Sequence, residues 1–479
     1  MWYLERARPT MWTMLLLLGS LSSAAETPEG RGWRGDGSGL YPEARVPQAL
    51  SPQAATWTVP LPARGNASPV LFHDMVCVTA EPITLACYEA SSGRPRWSTT
   101  HAYTDTLTGE AAIAWQAELA ALPGVRARML VVQERIASLR RSARASSSTE
   151  ALTSELTALT SELGALKQRL DAAAPKLTPD TQDLVGYASP TPVSTDQHLY
   201  ALFGQGVVSK LDRTGRRVWS VWLGPGVRPM RGHEAGTTAS PLLVDDLLIV
   251  PHGALHALDA GSGKVRWRVA PYADFGTPAV VELPGMTVLV TPDGRAIRAS
   301  DGAVLATGLA DVWYGGPTAA GDLVWWVGGH GQDHDPNNNH GWAWRLSPDG
   351  QGGLRTERLW ERTLPFSARI YVAPLAHAGR LYTLDHATTL HTLDAATGAV
   401  LSSLPLGEQL RSAPYPNPSL VGGELVLQGQ AGELVVLSPG PKPAATRAHQ
   451  IGRTTLASPA WSARGAWVRT YNELLYFAR

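Results

Sequence analysis

The chain has 479 residues, room for roughly three ordinary domains or for one large repeat array. Its 41 basic and 41 acidic residues cancel to zero net charge, which argues against a nucleic-acid partner or an acidic lipid surface. Glycine (47) and proline (36) together make up about 17% of the residues against a usual total near 12%, and 17 tryptophans outnumber 5 phenylalanines, a turn-rich profile with a recurring indole that excludes a helix bundle.

Arg6 and Arg8 precede an apolar stretch, Met11 to Leu21, that runs into Ser22-Ser23-Ala24-Ala25. A basic start, about 11 apolar residues and a small-residue site are the features of a secretory signal peptide cut near Ala25. The stretch is shorter than the about 20 residues a spanning helix needs, and an uncleaved anchor is the alternative. No cysteine follows it, so a lipoprotein anchor is not expected. The expectation is a mature chain that is periplasmic or secreted, without a transmembrane segment, beginning with an extended segment over residues 26–55.

From residue 56 a phrase recurs: alternating apolar residues, an acidic residue, a small pair, Ser or Thr with Gly, then an aromatic. Its fullest copy is Ala257-Leu258-Asp259-Ala260-Gly261-Ser262-Gly263-Lys264-Val265-Arg266-Trp267. Others end in Trp97 and Trp219, and another carries Asp394 and Gly398. The carboxylate and hydroxyl suit the N–H groups of a tight turn, Gly accepts positive φ, and the indole offers an apolar plate to a neighbouring unit. Upstream of these copies, or standing alone near the carboxy terminus, lies a Ser-Pro signal and an alternating run, as at Ser68-Pro69, Ser189-Pro190, Ser240-Pro241 and Ser458-Pro459. Four strands per unit at spacings of about 30 to 45 residues are the signature of propeller blades. Blades are expected at 67–98, 188–223, 239–269, 277–307, 316–362, 371–405, 413–450 and 457–479. The last lacks a fourth strand, which Thr56-Trp57-Thr58-Val59-Pro60-Leu61 supplies, because an open ring would leave two unpaired edges. The fold class is therefore all-β, an eight-bladed β-propeller with an inserted α-helical hairpin. Its parts are the closing strand and first blade over 56–103, the insertion over 104–184 and the remaining blades over 185–479.

Within 104–184, Leu152, Leu156, Leu159, Leu163, Leu166 and Leu170 form a heptad seam opened by a capping pattern at Ser147 and Glu150. Met129, Val132, Ile136 and Leu139 make the matching stripe of an antiparallel coiled-coil partner, with a shorter helix from Glu110 to Leu122 broken off at Pro123-Gly124. Arms of roughly 30 Å are expected, with a basic first arm facing an acidic second. The hairpin either lies flat on the sheets or projects as a partner-binding arm. A second insertion, 329–341, holds His330, His334, His340, Asp333 and Asp335, whose ligand types suit a divalent metal as well as an exposed polar loop. Both insertions and the connection 224–238, with Arg228, Arg231, His233 and Glu234, belong to one face of the ring, where any partner is expected. His377, His386 and His391 read as turn or strand-surface residues, and Trp313 and Trp342 as exposed indoles suited to a glycan.

The phrase at Ala257, Asp259, Ser262, Gly263 and Trp267 resembles the tryptophan docking motif of the PQQ-like propeller superfamily. The opening Trp33-Arg34-Gly35-Asp36-Gly37-Ser38-Gly39 and the ending Ala457-Ser458-Pro459 through Tyr476 are similar to the corresponding parts of secreted bacterial quinoprotein-like repeat proteins. The resemblance implies the fold over nearly everything except 104–184. The quinoprotein alcohol dehydrogenases among its members carry two adjacent cysteines beside the quinone and an acidic and amide set for calcium. Here the only cysteines, Cys77 and Cys87, are ten apart, and no calcium set maps. A non-catalytic scaffold with no cofactor, similar to the BamB-like propellers that serve outer-membrane protein assembly, is the reading this favours. A PQQ- and calcium-dependent oxidoreductase and a cell-envelope or carbohydrate-binding module are the alternatives. Cys77 and Cys87, on successive strands, are either bridged in an oxidising compartment or two buried thiols. Asn66-Ala67-Ser68 matches a glycosylation sequon, and Arg34-Gly35-Asp36 an adhesion tripeptide.

Overall fold

The computed structural model of the protein describes residues 31–145, 150–179, 186–226, 238–272, 275–312, 314–329 and 338–479. The described strands form eight sheets, seven of four strands and one of five. Seven are up-and-down meanders in chain order, starting with the strands Val70–Phe72, Val193–Ser194, Leu242–Val244, Ala279–Leu283, Thr318–Ala320, Leu375–His377 and Ser419–Val421. The eighth, Ala460–Ser462, Gly465–Arg469 and Glu473–Ala478, takes its outer strand from the other end of the chain: Trp57–Pro60 pairs antiparallel with it, Trp57 opposite Tyr476. The expected closure is thus present, and the sheets build a β-propeller. The fifth strand of the seventh sheet, Leu40–Tyr41, adds in parallel beside Ser419–Val421 and was not foreseen.

Burial explains the sequence rhythm. Middle strands such as Val207–Leu211 and Leu247–Pro251 are buried throughout, because a neighbouring sheet covers each face, whereas outer strands such as Val400–Pro405 alternate exposed and half-buried. The recurring phrase is the clamp between neighbours. In its turn, Asp259 Oδ1 accepts from Ser262 N and Oγ, both at 2.7 Å, and Asp394 Oδ1 accepts from Thr397 N at 2.9 Å and Oγ1 at 2.8 Å. The following glycine sits at φ +74° in Gly263 and +69° in Gly398, and the indole of the preceding sheet lies against it. A Cβ at Gly263 would stand 2.8 Å from the ring of Trp219, and one at Gly398 2.6 Å from that of Trp360. Trp97 docks on Gly215, Trp267 on Gly302, and Trp57 on Gly93 in the same way. Each indole N–H ends on a backbone carbonyl of the next sheet, Trp219 on Ala260 at 3.3 Å, Trp267 on Ala299 at 2.8 Å and Trp360 on Ala395 at 2.9 Å. A second ring donates to the same oxygen: Tyr200 to Ala260, Trp325 to Ala395, Trp467 to Ala90. The motif is therefore half of a joint whose other half lies one unit away.

Cys77 and Cys87 stand directly opposite on neighbouring strands and are joined as a disulfide inside the core shared by the first two sheets. A loop this short predicts a contribution of about 3 kcal/mol. Cys77→Ala/Cys87→Ala should accordingly unfold at lower denaturant than the parent chain, and the parent should shift toward the variant once reduced with dithiothreitol. Identical midpoints in all three samples would remove the bridge from the account.

The insertion is a helical hairpin, α1 (Gly109–Ala145) and α2 (Glu150–Ala173). α1 runs through Pro123 without a break, correcting the expectation of two helices. Proline removes one hydrogen bond at a cost of about 3 kcal/mol, but Trp115 and Leu122 on one side of it and Val125 on the other are all buried, so packing holds the backbone helical across the site. At 1.5 Å per residue its 37 residues reach about 55 Å, well beyond the expected arm. The seam is as read, with Val132, Ile136 and Leu139 buried, and the charge pairing is present as Arg128–Glu162, Arg135–Glu155 and Arg169–Glu118. Glu150 opens α2, while its expected cap, Ser147, lies outside the described residues. Among the described residues the helices pack broadly on each other and on the short helical turns Tyr103–Thr106 and Ala174–Lys176, and on no strand to a comparable extent. At this base the ammonium of Lys176 lies 5.5 to 5.9 Å from the rings of Tyr103, Trp115 and Trp222, and Arg217 pairs with Asp105. The hairpin projects; it does not lie flat.

Candidate functional site

Every sheet is entered through a residue followed by proline: Ser68, Thr191, Ser240, Thr277, Gly316, Ala373, Asn417 and Ser458. Proline tolerates this strand-initial place because no ladder hydrogen bond is asked of it, and it holds the preceding residue extended. These eight residues lie side by side around one end of a central cavity of about 390 Å³, which all of them line. The backbone N–H of one donates to the side-chain oxygen of the next, Ser68 to Thr191 at 3.1 Å, Thr191 to Ser240 at 3.0 Å and Ser240 to Thr277 at 3.0 Å. The belt resumes from Ala373 to Asn417 and from Asn417 to Ser458, both at 2.8 Å. It is interrupted at Gly316 and Ala373, which offer no side-chain oxygen. A Cβ on Gly316 would stand 2.5 Å from the Thr277 carbonyl, so the fourth and fifth sheets approach too closely for any side chain there.

A second layer, two residues earlier in each connection, sets the character of the mouth. Asn66, Ser189 and Thr238 form a polar arc, and Phe275, Tyr314, Tyr371 and Tyr415 an aromatic one, with Leu456 between its end and Asn66. The aromatics touch in sequence: Phe275 stacks on Tyr314 at 5.5 Å, Tyr314 meets Tyr371 edge-on at 4.6 Å, and Tyr371 contacts Tyr415 at 5.4 Å. Burial raises the phenols of Tyr314 and Tyr415, so both are neutral. Arg369 is the one charged residue lining the cavity among the described residues; its hydrogen bond with Tyr371 raises its pKa and keeps it a cation. His386, edge-on to Tyr371 at 5.1 Å, is lowered by burial and by Arg369, and remains neutral at pH 7.

The opposite end of the cavity is closed by the amino-terminal segment. Arg31 accepts from Ser194 N on the second sheet, Arg34 donates to Thr318 Oγ1 and the Pro374 carbonyl on the fifth and sixth sheets, and Leu40–Tyr41 joins the seventh. Trp33 is thereby placed in the cavity wall. Arg34 is buried, so the Arg34-Gly35-Asp36 tripeptide is a strut across the channel and not an exposed adhesion sequence. The open mouth is built from the connections that also carry the hairpin and segment 224–238, on the face where a partner was expected.

The expected docking residues Trp97, Trp219, Asp259, Gly263, Trp267, Asp394 and Gly398 are all in joints between sheets. Of the candidate metal ligands, His330, Asp333, His334 and Asp335 lie outside the described residues, as do Arg228, Arg231, His233, Glu234 and Trp313. His340 lies in the strand Asn339–Pro348, stacked on Trp342 and facing Thr363 Oγ1 at 3.2 Å. Trp342 is buried, against the expectation of an exposed indole. His391 is likewise no surface residue: it is buried against Phe366, bonded to Ser403 Oγ at 2.9 Å and Asp385 Oδ2 at 3.1 Å, because its strand is covered on both faces. The aromatic arc and Arg369 were missed. The signal that finds them is the proline register: in five of the eight pairs the proline follows a residue other than serine, and reading back two places from each gives the mouth.

The family profile described as outer membrane protein assembly factor BamB matches residues 204–313 and 350–441. Among solved structures, BamB from Moraxella catarrhalis superposes with a TM-score of 0.52 at 11% identity, over 89% of this chain and 99% of that one. The computationally designed Ika8 protein superposes with a TM-score of 0.51 at 10% identity, over 88% and 98%. No curated protein matches the chain. A sheet-to-sheet clamp built on the docking phrase, the β-propeller fold and a family profile matching two stretches of the chain together support a PQQ-like, BamB-like repeat protein.

Proposed function

We propose that the protein is a non-catalytic, extracytoplasmic scaffold: an eight-bladed propeller that engages a protein partner through the face bearing the hairpin. The observation that carries this reading is the arm itself, whose broad contacts outside the hairpin are, among the described residues, at its base, and which bears exposed apolar side chains, Ile113, Leu130 and Val131, on α1. Unburied apolar residues of that size along a long lever are not used to pack the hairpin and suit a partner's surface. The likeness to a protein named an outer-membrane assembly factor supports a role of this kind in the cell envelope. The basic start, short apolar run and small-residue site at 1–25 support export, and the buried disulfide suits an oxidising compartment. Eight equivalent proline-led entries support the blade count.

The cavity's donors argue against the quinone-dependent alternative. Among the described residues no carboxylate lines it, and the two cysteines are spent in a cross-strand bridge instead of standing adjacent. The test is a photo-crosslinking amino acid at Leu130, with the same group at Val218 on an outer strand as control. A discrete protein adduct specific to the arm is expected, abolished by Ile113→Glu/Val131→Glu. Equal labelling at the two sites, or none, overturns the arm as a binding element.

A further inference from the structure

We infer that the arm's occupant is a second copy of this chain, bound by antiparallel pairing of the two α1 helices. The inference rests on the arm being a binding element and names what it binds.

α1 carries two apolar seams. One is spent inside the hairpin, on Val125, Val132, Ile136 and Leu139, all buried. The other is open: Ile113, Ala117, Ala120, Gly124, Ala127 and Val131 recur at spacings of four and three, so they share one helix face. All six are exposed, Ile113 at 69% and Val131 at 54%, and Leu130 stands beside them at 58%. A Cβ added to Gly124 would meet open space. The solvent side of a helix ordinarily carries charged and polar residues, and none occupies these six positions. The face is a coiled-coil seam without its second strand.

The order of the residues selects the occupant. Ile113 and Val131, Ala117 and Ala127, and Ala120 and Gly124 form pairs equidistant from Leu122, a branched pair at the ends and two small pairs between. A two-fold interface asks for this order, because a residue that meets another must in turn be met by its copy. An antiparallel pair centred on Leu122 sets Ile113 of one copy against Val131 of the other, while the small residues let the axes approach to about 8 Å. An unrelated helix or a lipid surface would make no use of the mirror order.

Charge fixes the direction. Residues 109–122 hold Glu110 and Glu118 and no basic residue, whereas 123–145 hold six arginines against Glu134. Glu118, Arg128 and Arg135 are paired with α2; Arg126, Arg140 and Arg141 have no ion pair among the described residues. Antiparallel pairing lays the acidic half of each helix along the basic half of the other, and parallel pairing would lay arginine on arginine. The face stops at Glu110 and Glu134, again equidistant from Leu122, a like-charged pair whose place at the solvent-exposed ends costs little. Ile113 to Val131 spans about 27 Å, short for an interface, so a dissociation constant on the order of 10 μM is expected.

The experiment is sedimentation equilibrium of the mature chain, which should be mainly dimeric at about 100 μM. Ala120→Glu, at the centre of the face, should weaken the dimer at least about tenfold, and Ala111→Glu, exposed on the other side of α1, should leave it unchanged. Cysteine variants read the register, since the native cysteines are already bridged. Under mild oxidation a mixture of Ile113→Cys and Val131→Cys chains should form a disulfide-linked dimer, and neither chain alone should do so. Linkage within each variant alone, or Ala120→Glu dimerising as tightly as the parent, overturns the antiparallel face. A chain monomeric at about 100 μM overturns the second copy as occupant; if its arm still crosslinks a different protein at Leu130, the arm remains a binding element.

Discussion

Trp57→Ala/Val59→Ala is expected to lower the unfolding free energy by roughly 4 kcal/mol, the cost of withdrawing one indole and one branched side chain from a packed site. Both residues belong to the outer strand of the eighth sheet, and both pack into the cluster that holds Tyr88, Trp467 and Tyr476. Trp57 also donates to the Ala90 carbonyl at 3.3 Å and covers Gly93, so the same substitution loosens the strand from its own sheet and the eighth sheet from the first. Val218→Ala, on an exposed outer-strand position, is the matched control and should be within about 0.5 kcal/mol of the parent. Chemical denaturation of the three chains measures the difference. If the double variant tracks the control, the amino-terminal strand is an ornament and the ring is closed by something else.

Acid should destabilise the propeller well above the range where carboxylates titrate. His101 is buried beside Phe203, its Nδ1 at 2.9 Å from Ser209 Oγ, and burial with the nearby Arg217 pushes its pKa down to about 3. His252, its Nε2 at 3.0 Å from the Gly224 carbonyl, is pushed down to about 4, chiefly by burial. Both values lie below the 6.5 of a free histidine, so the unfolded chain takes up these protons first. The associated stability is fully present above about pH 6.5 and is lost as pH falls toward the folded values, at about 1.4 kcal/mol per pH unit for each group. Between pH 6.5 and 5 the two together remove roughly 3 kcal/mol, since the unfolded histidines are already half protonated at pH 6.5. Glu81 acts in the opposite direction: burial raises its carboxyl, so protonation favours the folded chain, although N–H groups of Tyr187 and Ala188 limit the rise. Denaturation curves at the two pH values, on the parent and on His101→Leu, check the sign and the size; a parent as stable at pH 5 as at 6.5 contradicts the burial assigned to these rings.

Much of this architecture was legible because the propeller repeats its local chemistry. Asp259, Ser262, Gly263 and Trp267 are fixed by one turn and one joint, and a phrase dictated by a turn can be read wherever it recurs. The fifth sheet shows the limit. Its outer-strand Trp360 docks like the others, but the turn of its own sheet runs through Asp349, Gly350 and Gly353, so the phrase is absent where the joint is present. Pro123 shows another: a local helix breaker is overridden by burial of Trp115, Leu122 and Val125, which only the folded hairpin supplies. The cavity was hidden for a third reason. Its lining residues are contributed a few at a time from 33 to 458, and what relates Asn66 to Tyr415 is their place around an axis, which no window of sequence contains.

Thr56 and Ala478, joined by a hydrogen bond at 3.0 Å, are 422 residues apart. An edge that waits for a partner at the far end of the polypeptide cannot be covered while the chain is still being delivered, so the final fastening comes only after the last residues arrive. Until then the first ribbon to emerge is sticky and solvent-facing, the species that holdase chaperones bind.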